Sequence, residues 1–391
     1  MEERQELTGR LVSLLQDYSI GLTYITPGPR GGGLTGLAQE QLEEILAALD
    51  GVPNVRQDLV YANGCFFVGR YVKSAAVYSS LLESEPRDQV ARFNLGLCYV
   101  RLKQPQDAVL EFTQVIKQVV QVKPLLTQAH YQRGNVHDDL GEPELALIDY
   151  EMAISLEPEF LRAHYNRGIV LANMGRYWDA IAQFDQVLEL RPDLSNAYLN
   201  RGAAQDEMGC HYRAIADYAE ALRLDPDNVN AWFNRARTHY YLGSTEESIA
   251  DYSEVLRLRS DDAEALNNRG LAFDAVGDYH RALVDYEAAA LIQPNFAEVL
   301  NNMGAALEAL EDHQSAMDAY LAAAKAAPDF AVAYFNAARL CSKLGDLDQC
   351  LRYLETAEKL ESGWMKEAAE DDQLSWVLDM QQLKGKKSDN S

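Results

Sequence analysis

The chain restates itself every 34 residues. Residues 163–192, AHYNRGIVLANMGRYWDAIAQFDQVLELRP, carry Gly168, then Ala180, Phe184 and Pro192. Thirty-four residues on, Gly202, Ala214, Tyr218 and Pro226 stand in the same places. A second step finds Ala236, Ser248 and Tyr252, with Ser260 in place of the proline. A period of this length means one supersecondary unit copied along the chain, each copy burying its apolar face on the next.

The copies can be counted from three rungs. Small residues recur at Ala62, Gly96, Gly134, Gly168, Gly202, Ala236, Gly270, Gly304 and Ala338. Twelve residues after each come Ser74, Ala108, Ala146, Ala180, Ala214, Ser248, Ala282, Ala316 and Cys350. Four further on stand Tyr78, Phe112, Tyr150, Phe184, Tyr218, Tyr252, Tyr286, Tyr320 and Leu354. This gives nine units: 55–88, 89–126, 127–160, 161–194, 195–228, 229–262, 263–296, 297–330 and 331–364.

Each unit makes physical sense as two antiparallel helices. The glycine or alanine of the first lets the second approach closely, and the ring of the second fills the space left open. Gly141, Gly175, Gly209, Gly243, Gly277 and Gly345 stand where the first helix must stop. Prolines at 86, 158, 192, 226, 294 and 328 close most second helices.

These rungs closely resemble the tetratricopeptide-repeat family over about four-fifths of the chain. The resemblance implies an all-α fold, a right-handed superhelical solenoid of about nine helical hairpins whose first helices line a concave groove. It does not imply one function, because the family serves many recognition tasks.

Outside the repeats, residues 1–54 read as a helical cap. Leu7, Leu11, Leu14 and Leu15 share one helical face, as do Leu42, Ile45, Leu46 and Leu49, with a glycine-rich hinge at 26–33 between them. The hinge lacks the Gly-Lys-Ser/Thr of a phosphate loop. The first two repeats carry apolar groove positions, Leu59, Val60, Phe66, Phe67, Phe93, Leu97 and Val100, on which this cap is expected to dock. Between Gly96 and Gly134 the interval is 38 rather than 34 residues. The extra turn, in 116–126 with Val119, Val120 and Val122 before Pro124, is expected to lengthen the second helix there. Residues 365–383 read as a C-terminal capping helix, and 384–391 as a disordered tail.

A net charge of −25 argues against a general nucleic-acid binder, and no stretch reaches the length of a membrane span. The opening MEERQELTGR puts charges where a secretory leader needs an apolar run, and five cysteines without CxxC spacing read as reduced. A cytoplasmic protein is expected. His130, His137 and His164 are conceivable metal ligands, but they read better as core residues. No hydrolase, metalloprotease or nucleotide-binding motif is found, so neither catalysis nor a cofactor is expected.

Information remains in the groove. At about 100° per residue, the positions six, three and two before each small rung, and one, four and five after it, share the face opposite the rung. Two before the rung the chain places Asn94, Gln132, Asn166, Asn200, Asn234, Asn268, Asn302 and Asn336. A carboxamide offers both donor and acceptor, so such a row can bridge the backbone of an extended peptide without reading its side chains. It resembles the asparagine ladders of peptide-binding members of the family. Asparagine is common at this place in the family generally, including members with no known peptide, so a packing role fits as well. Acids gather beside the row at Asp138, Asp206, Glu207 and Asp274, and an aromatic shelf of Phe233, Tyr240 and Tyr241 lies beside Arg237. Together they suit an extended, basic segment of another protein. No lysine occurs three before any rung, so the clamp that grips chaperone C-terminal tails is not expected. The resulting expectation is a non-enzymatic adaptor. The alternatives are a scaffold within a larger assembly and a regulatory subunit of an enzyme on another chain.

Overall fold

The computed structural model describes residues 2–17, 37–50, 58–118 and 122–378. The glycine-rich hinge, Val119 and Val120, residues 379–383 and the polar tail lie outside the described residues. The described residues are helical with short turns and contain no strand. They divide into two units, 1–193 and 194–391.

The first unit opens with α1 (Glu2–Asp17) and α2 (Leu37–Asp50). Four hairpins follow: α3 (Leu59–Phe67) with α4 (Tyr71–Ser84), α5 (Gln89–Arg101) with α6 (Pro105–Gln118), α7 (Lys123–Asp139) with α8 (Pro143–Leu156), and α9 (Leu161–Asn173) with α10 (Tyr177–Leu190). The second unit holds α11 (Ser195–Glu207) with α12 (His211–Leu224), α13 (Val229–Tyr241) with α14 (Thr245–Leu258), and α15 (Ala263–Ala275) with α16 (Tyr279–Ile292). It continues through α17 (Ala297–Ala309) with α18 (His313–Ala326) and α19 (Ala331–Leu344) with α20 (Leu347–Leu360), and then α21 (Trp364–Glu370).

The rungs meet as their chemistry requires. A Cβ on Gly168 would lie 2.8 Å from the Phe184 ring, and one on Gly270 only 2.5 Å from the Tyr286 ring. Nothing larger than glycine fits there without moving an aromatic ring that is itself fully buried. A second device closes several hairpins from within. Arg133 forks onto Asp149, Arg201 onto Asp217, Arg235 onto Asp251 and Arg269 onto Asp285, each through two bonds of 2.7–2.8 Å. Each arginine immediately precedes its rung, and each aspartate lies sixteen residues on, buried in the second helix. Such a bidentate pair satisfies a charge that burial alone would penalise.

Part of the extra turn falls in the next first helix, because α7 has 17 residues against the usual 13. α6 is described over 14 residues as far as Gln118, so whether the second helix is lengthened lies outside the described residues. Pro124 occupies the first turn of α7, a place where proline starts a helix and does not need to continue one. The N-terminal pair also docks differently. Leu46, Leu11 and Leu42 come within 3.0, 3.4 and 3.7 Å of a Cβ built on Gly64. In the next hairpin the position equivalent to Gly64 is Cys98, whose thiol faces Ser74 of the hairpin before it. α1 and α2 therefore stack on the end of the first hairpin and do not lie along its groove. The expected exposed apolar patch is absent among the described residues: Phe66, Phe93 and Leu97 are buried, and Leu59, Val60, Phe67 and Val100 are half-buried.

The other end is covered by a broken segment in place of one long helix. α21 spans seven residues, and Asp371 then caps a short turn through the backbone amides of Gln373 and Leu374. Trp364 packs on Phe335 at 4.7 Å, while Ala368, Leu374 and Val377 bury themselves against Cys341, Cys350 and Leu354.

Candidate functional site

The first helices carry two polar rows on the face away from the rungs. In the asparagine row, Nδ2 groups reach the preceding hairpin. Asn94 donates to Asn63 at 3.1 Å, and Asn166 to Asn135 at 2.8 Å and to the Tyr131 hydroxyl at 3.2 Å. In the second unit Asn302 donates to Asn267 at 3.0 Å and Asn336 to Asn301 at 2.9 Å. These carboxamides tie one first helix to the next. Asn94 is fully buried and Gln132 is 7% exposed, so neither is open to a peptide. Asn200, Asn234 and Asn268 are half-buried, and Asn268 accepts a long 3.4 Å bond from Asn267. The recipients at Asn63, Asn135, Asn267 and Asn301 were not singled out from sequence. Asn63 and Asn135 stand one residue after the rung, whereas Asn267 and Asn301 stand three before it, and this change of position hides their recurrence.

The second row lies four residues past the rung. In the second unit it reads Asp206, Tyr240, Asp274, Glu308. Asp206 is already committed: His211 Nδ1 lies 2.6 Å from its Oδ1, Thr238 donates to Oδ2 at 2.8 Å, and the Arg237 guanidinium stands 3.8 Å away. These groups and Tyr241 surround an open cleft of about 400 Å³ lined also by Glu207 and Gly209. The His211 and Tyr241 rings meet at a tilt of 49° with centroids 4.6 Å apart. What the cleft still offers a guest is the exposed Glu207 carboxylate, the half-exposed Arg237 side chain and the Tyr241 ring, which is 73% exposed.

The aromatic shelf is smaller than the sequence suggests. Tyr240 and Tyr241 are exposed, but Phe233 turns inward and meets Tyr252 edge-on at 5.5 Å. Asp274 is half-buried; burial pushes its carboxyl above the ordinary range, against the opposing pull of a 2.8 Å bond from the Tyr286 hydroxyl. In the first unit Asp138 is exposed beside Asp139, and partial desolvation and that neighbouring charge both raise its pKa.

The three histidines weighed as metal ligands have other partners. His130 bonds Asp149 at 2.8 Å, His137 bonds Glu142 at 2.6 Å, and His164 bonds Gln183 and the Pro158 carbonyl, both at 2.9 Å. No helix among the described residues is long and apolar enough to cross a membrane.

Comparison with known proteins agrees with the rungs. Family models described as tetratricopeptide repeat match residues 66–119, 127–160, 161–194, 195–228, 267–331 and 331–363, and one described as TPR repeat matches 236–277. The comparison with curated proteins gives no significant match. Among solved structures, the C-terminal part of a TPR repeat-containing protein from Cytophaga hutchinsonii is 17% identical, with 62% of this chain and 98% of that one covered and a TM-score of 0.54. A tetratricopeptide repeat protein from Parabacteroides merdae is 20% identical, covering 70% of this chain and 100% of its own, at a TM-score of 0.45. YrrB, described as a TPR protein with an unusual peptide-binding site, is 21% identical over 47% of this chain and 95% of its own, at 0.43. With family matches running from residue 66 to residue 363 and hairpins built on the same rungs, the chain belongs to the tetratricopeptide-repeat family, whose repeats are protein-binding modules.

Proposed function

We propose that the chain is a non-enzymatic, cytoplasmic adaptor that holds an extended, basic segment of another protein along the first-helix face of its second unit. The observation that carries this reading is the cleft at Glu207 and Tyr241, continued by the exposed Tyr240 and by the exposed carboxylates Glu264 and Glu298. An acidic face with accessible rings favours lysine and arginine side chains, which gain both charge attraction and contact with an aromatic face. A specific feature of the first unit favours the scaffold reading as a second possibility. α8 exposes Leu145, Ile148 and Met152 along one side, 46%, 57% and 43% accessible, although its opposite side is already buried in the core. An apolar stripe of that kind suits a further protein surface.

One photo-crosslinking experiment separates the two. A benzophenone amino acid placed at Tyr241 is expected to capture lysine- and arginine-rich segments, and one at the equally exposed Tyr212 is not. If position 241 captures the same peptides as position 212, the groove reading fails. Efficient capture through position 148 of a second copy of the chain, with none through 241, would favour the scaffold.

A further inference from the structure

Asp274 and Glu308 occupy the same place in successive hairpins and receive the same hydrogen bond. The Tyr286 hydroxyl donates to Asp274 Oδ2 at 2.8 Å, and the Tyr320 hydroxyl to Glu308 Oε2 at 3.1 Å. Their counter-charges differ. Glu308 has Arg339 and Lys343 of the following first helix, each 3.8 Å away. Asp206 likewise has Arg237, from the same position as Arg339. Thirty-one and thirty-five residues after Asp274, where those cations would stand, the chain has Ala305 and Ala309. Among the described residues, Asp274 Oδ1 is buried and finds no hydrogen-bond partner. A carboxylate oxygen in that condition forfeits its hydration without replacement, a cost that a positive charge brought close to the carboxylate offsets, as the cations 3.8 Å from Glu308 do there.

Tyr240 stands in the same row one hairpin earlier, 38% exposed. Burial, and the Asp274 charge nearby, raise the pKa of its hydroxyl. A cation at Asp274 would thus lie beside an accessible ring and over two alanines that leave room for it.

We propose that Asp274, Tyr240, Ala305 and Ala309 form a slot for one lysine or arginine side chain of the partner's extended segment. The guest supplies in trans the charge that Arg339 and Lys343 supply to Glu308 within the chain. The slot fixes the register of the segment, because the neighbouring acids Asp206 and Glu308 are already paired. This inference rests on the basic-segment reading and adds to it a single anchoring position.

The test uses the full chain and a fluorescein-labelled dodecapeptide of repeating Gly-Ser-Arg, with Gly-Ser-Gln as its neutral match, followed by anisotropy at low salt. Asp274→Asn should weaken the arginine peptide by about tenfold or more, the scale of one charge-assisted bond. Asp227→Asn, at a loop carboxylate that is 80% exposed, should leave it within about twofold, as a screened surface charge does. Ala305→Arg fills the slot from within, so it should weaken the peptide comparably and raise the melting temperature. Should Ala305→Arg fold poorly, Asp274→Asn decides alone, since it removes the charge and keeps the shape. A wild-type chain that binds both peptides equally would overturn the basic-segment reading and the slot together. Preference for the arginine peptide that survives unchanged in Asp274→Asn would overturn the slot alone. If replacing Lys384, Lys386 and Lys387 by Ser tightens binding, and does so only while Asp274 is present, the chain's own lysines fill the slot and the partner assignment fails.

Discussion

Asn302 and Asn336 each spend an Nδ2 proton on a carboxamide oxygen in the hairpin before them. Removing the donor leaves Asn267 or Asn301, both largely buried, with an unanswered acceptor. Replacing Asn302 or Asn336 by Ala should therefore lower unfolding free energy by about 1 kcal/mol each, with the two effects close to additive because they share no partner. Urea unfolding of the two single variants and the double measures this. Midpoints equal to that of the wild type would return the whole row to ligand binding. Spacing alone places these residues on one face, and no more can be read from it. A carboxamide suits a peptide backbone and a neighbouring carboxamide equally well, and only the stacking of hairpins shows which lies within 3 Å. Asp206 teaches the same lesson with charge, since its three partners come from other parts of the fold, His211 from the next helix and Arg237 and Thr238 from the next hairpin.

Turns between the paired helices reverse through one residue in the left-handed region. Glycine takes that place at Gly69, Gly141, Gly175, Gly209, Gly243, Gly277 and Gly345, with φ between 73° and 81°. In two hairpins a side chain must adopt the same backbone: Lys103 at φ 56° and Glu311 at φ 65°. Left-handed backbone costs an L-residue about 1–2 kcal/mol, part of which glycine returns through its freer unfolded chain. Lys103→Gly and Glu311→Gly should each stabilise by about 0.5–1 kcal/mol, read as a higher urea midpoint at unchanged slope. A loss of stability in both would mean that their side chains hold the turn by contacts worth more than the strain. At this scale the sequence was most legible, because the glycines, the rungs and the aromatics each answer to a steric rule that acts within one hairpin. It was least legible at the ends and at the insertion. Whether Pro124 ends one helix or begins another depends on which side the neighbouring hairpin supports, and the cap on Gly64 depends on a face that is otherwise used for stacking.

Acid carries the clearest whole-chain consequence, since 60 acidic residues face 35 basic ones. Burial works to raise the pKa of Asp149, yet the bonds from His130 and Arg133 outweigh it and hold the carboxyl below its ordinary value of 3.8. A carboxyl depressed in the folded state contributes stability that is complete above the unfolded value and is lost as pH falls through the folded one. Between pH 5 and pH 3, stability should therefore fall more steeply with acid in the wild-type chain than in Asp149→Asn, as followed by urea midpoints across that range. Parallel curves would show that the fork contributes nothing to acid sensitivity. The forks have a further consequence, for inheritance. Arg201 with Asp217, Arg235 with Asp251 and Arg269 with Asp285 each close inside one hairpin, so no such charge waits on a residue encoded elsewhere. A gene segment of 34 codons that is copied or dropped in frame carries both halves of the pair with it, and the length of such a chain is open to change by recombination in whole steps.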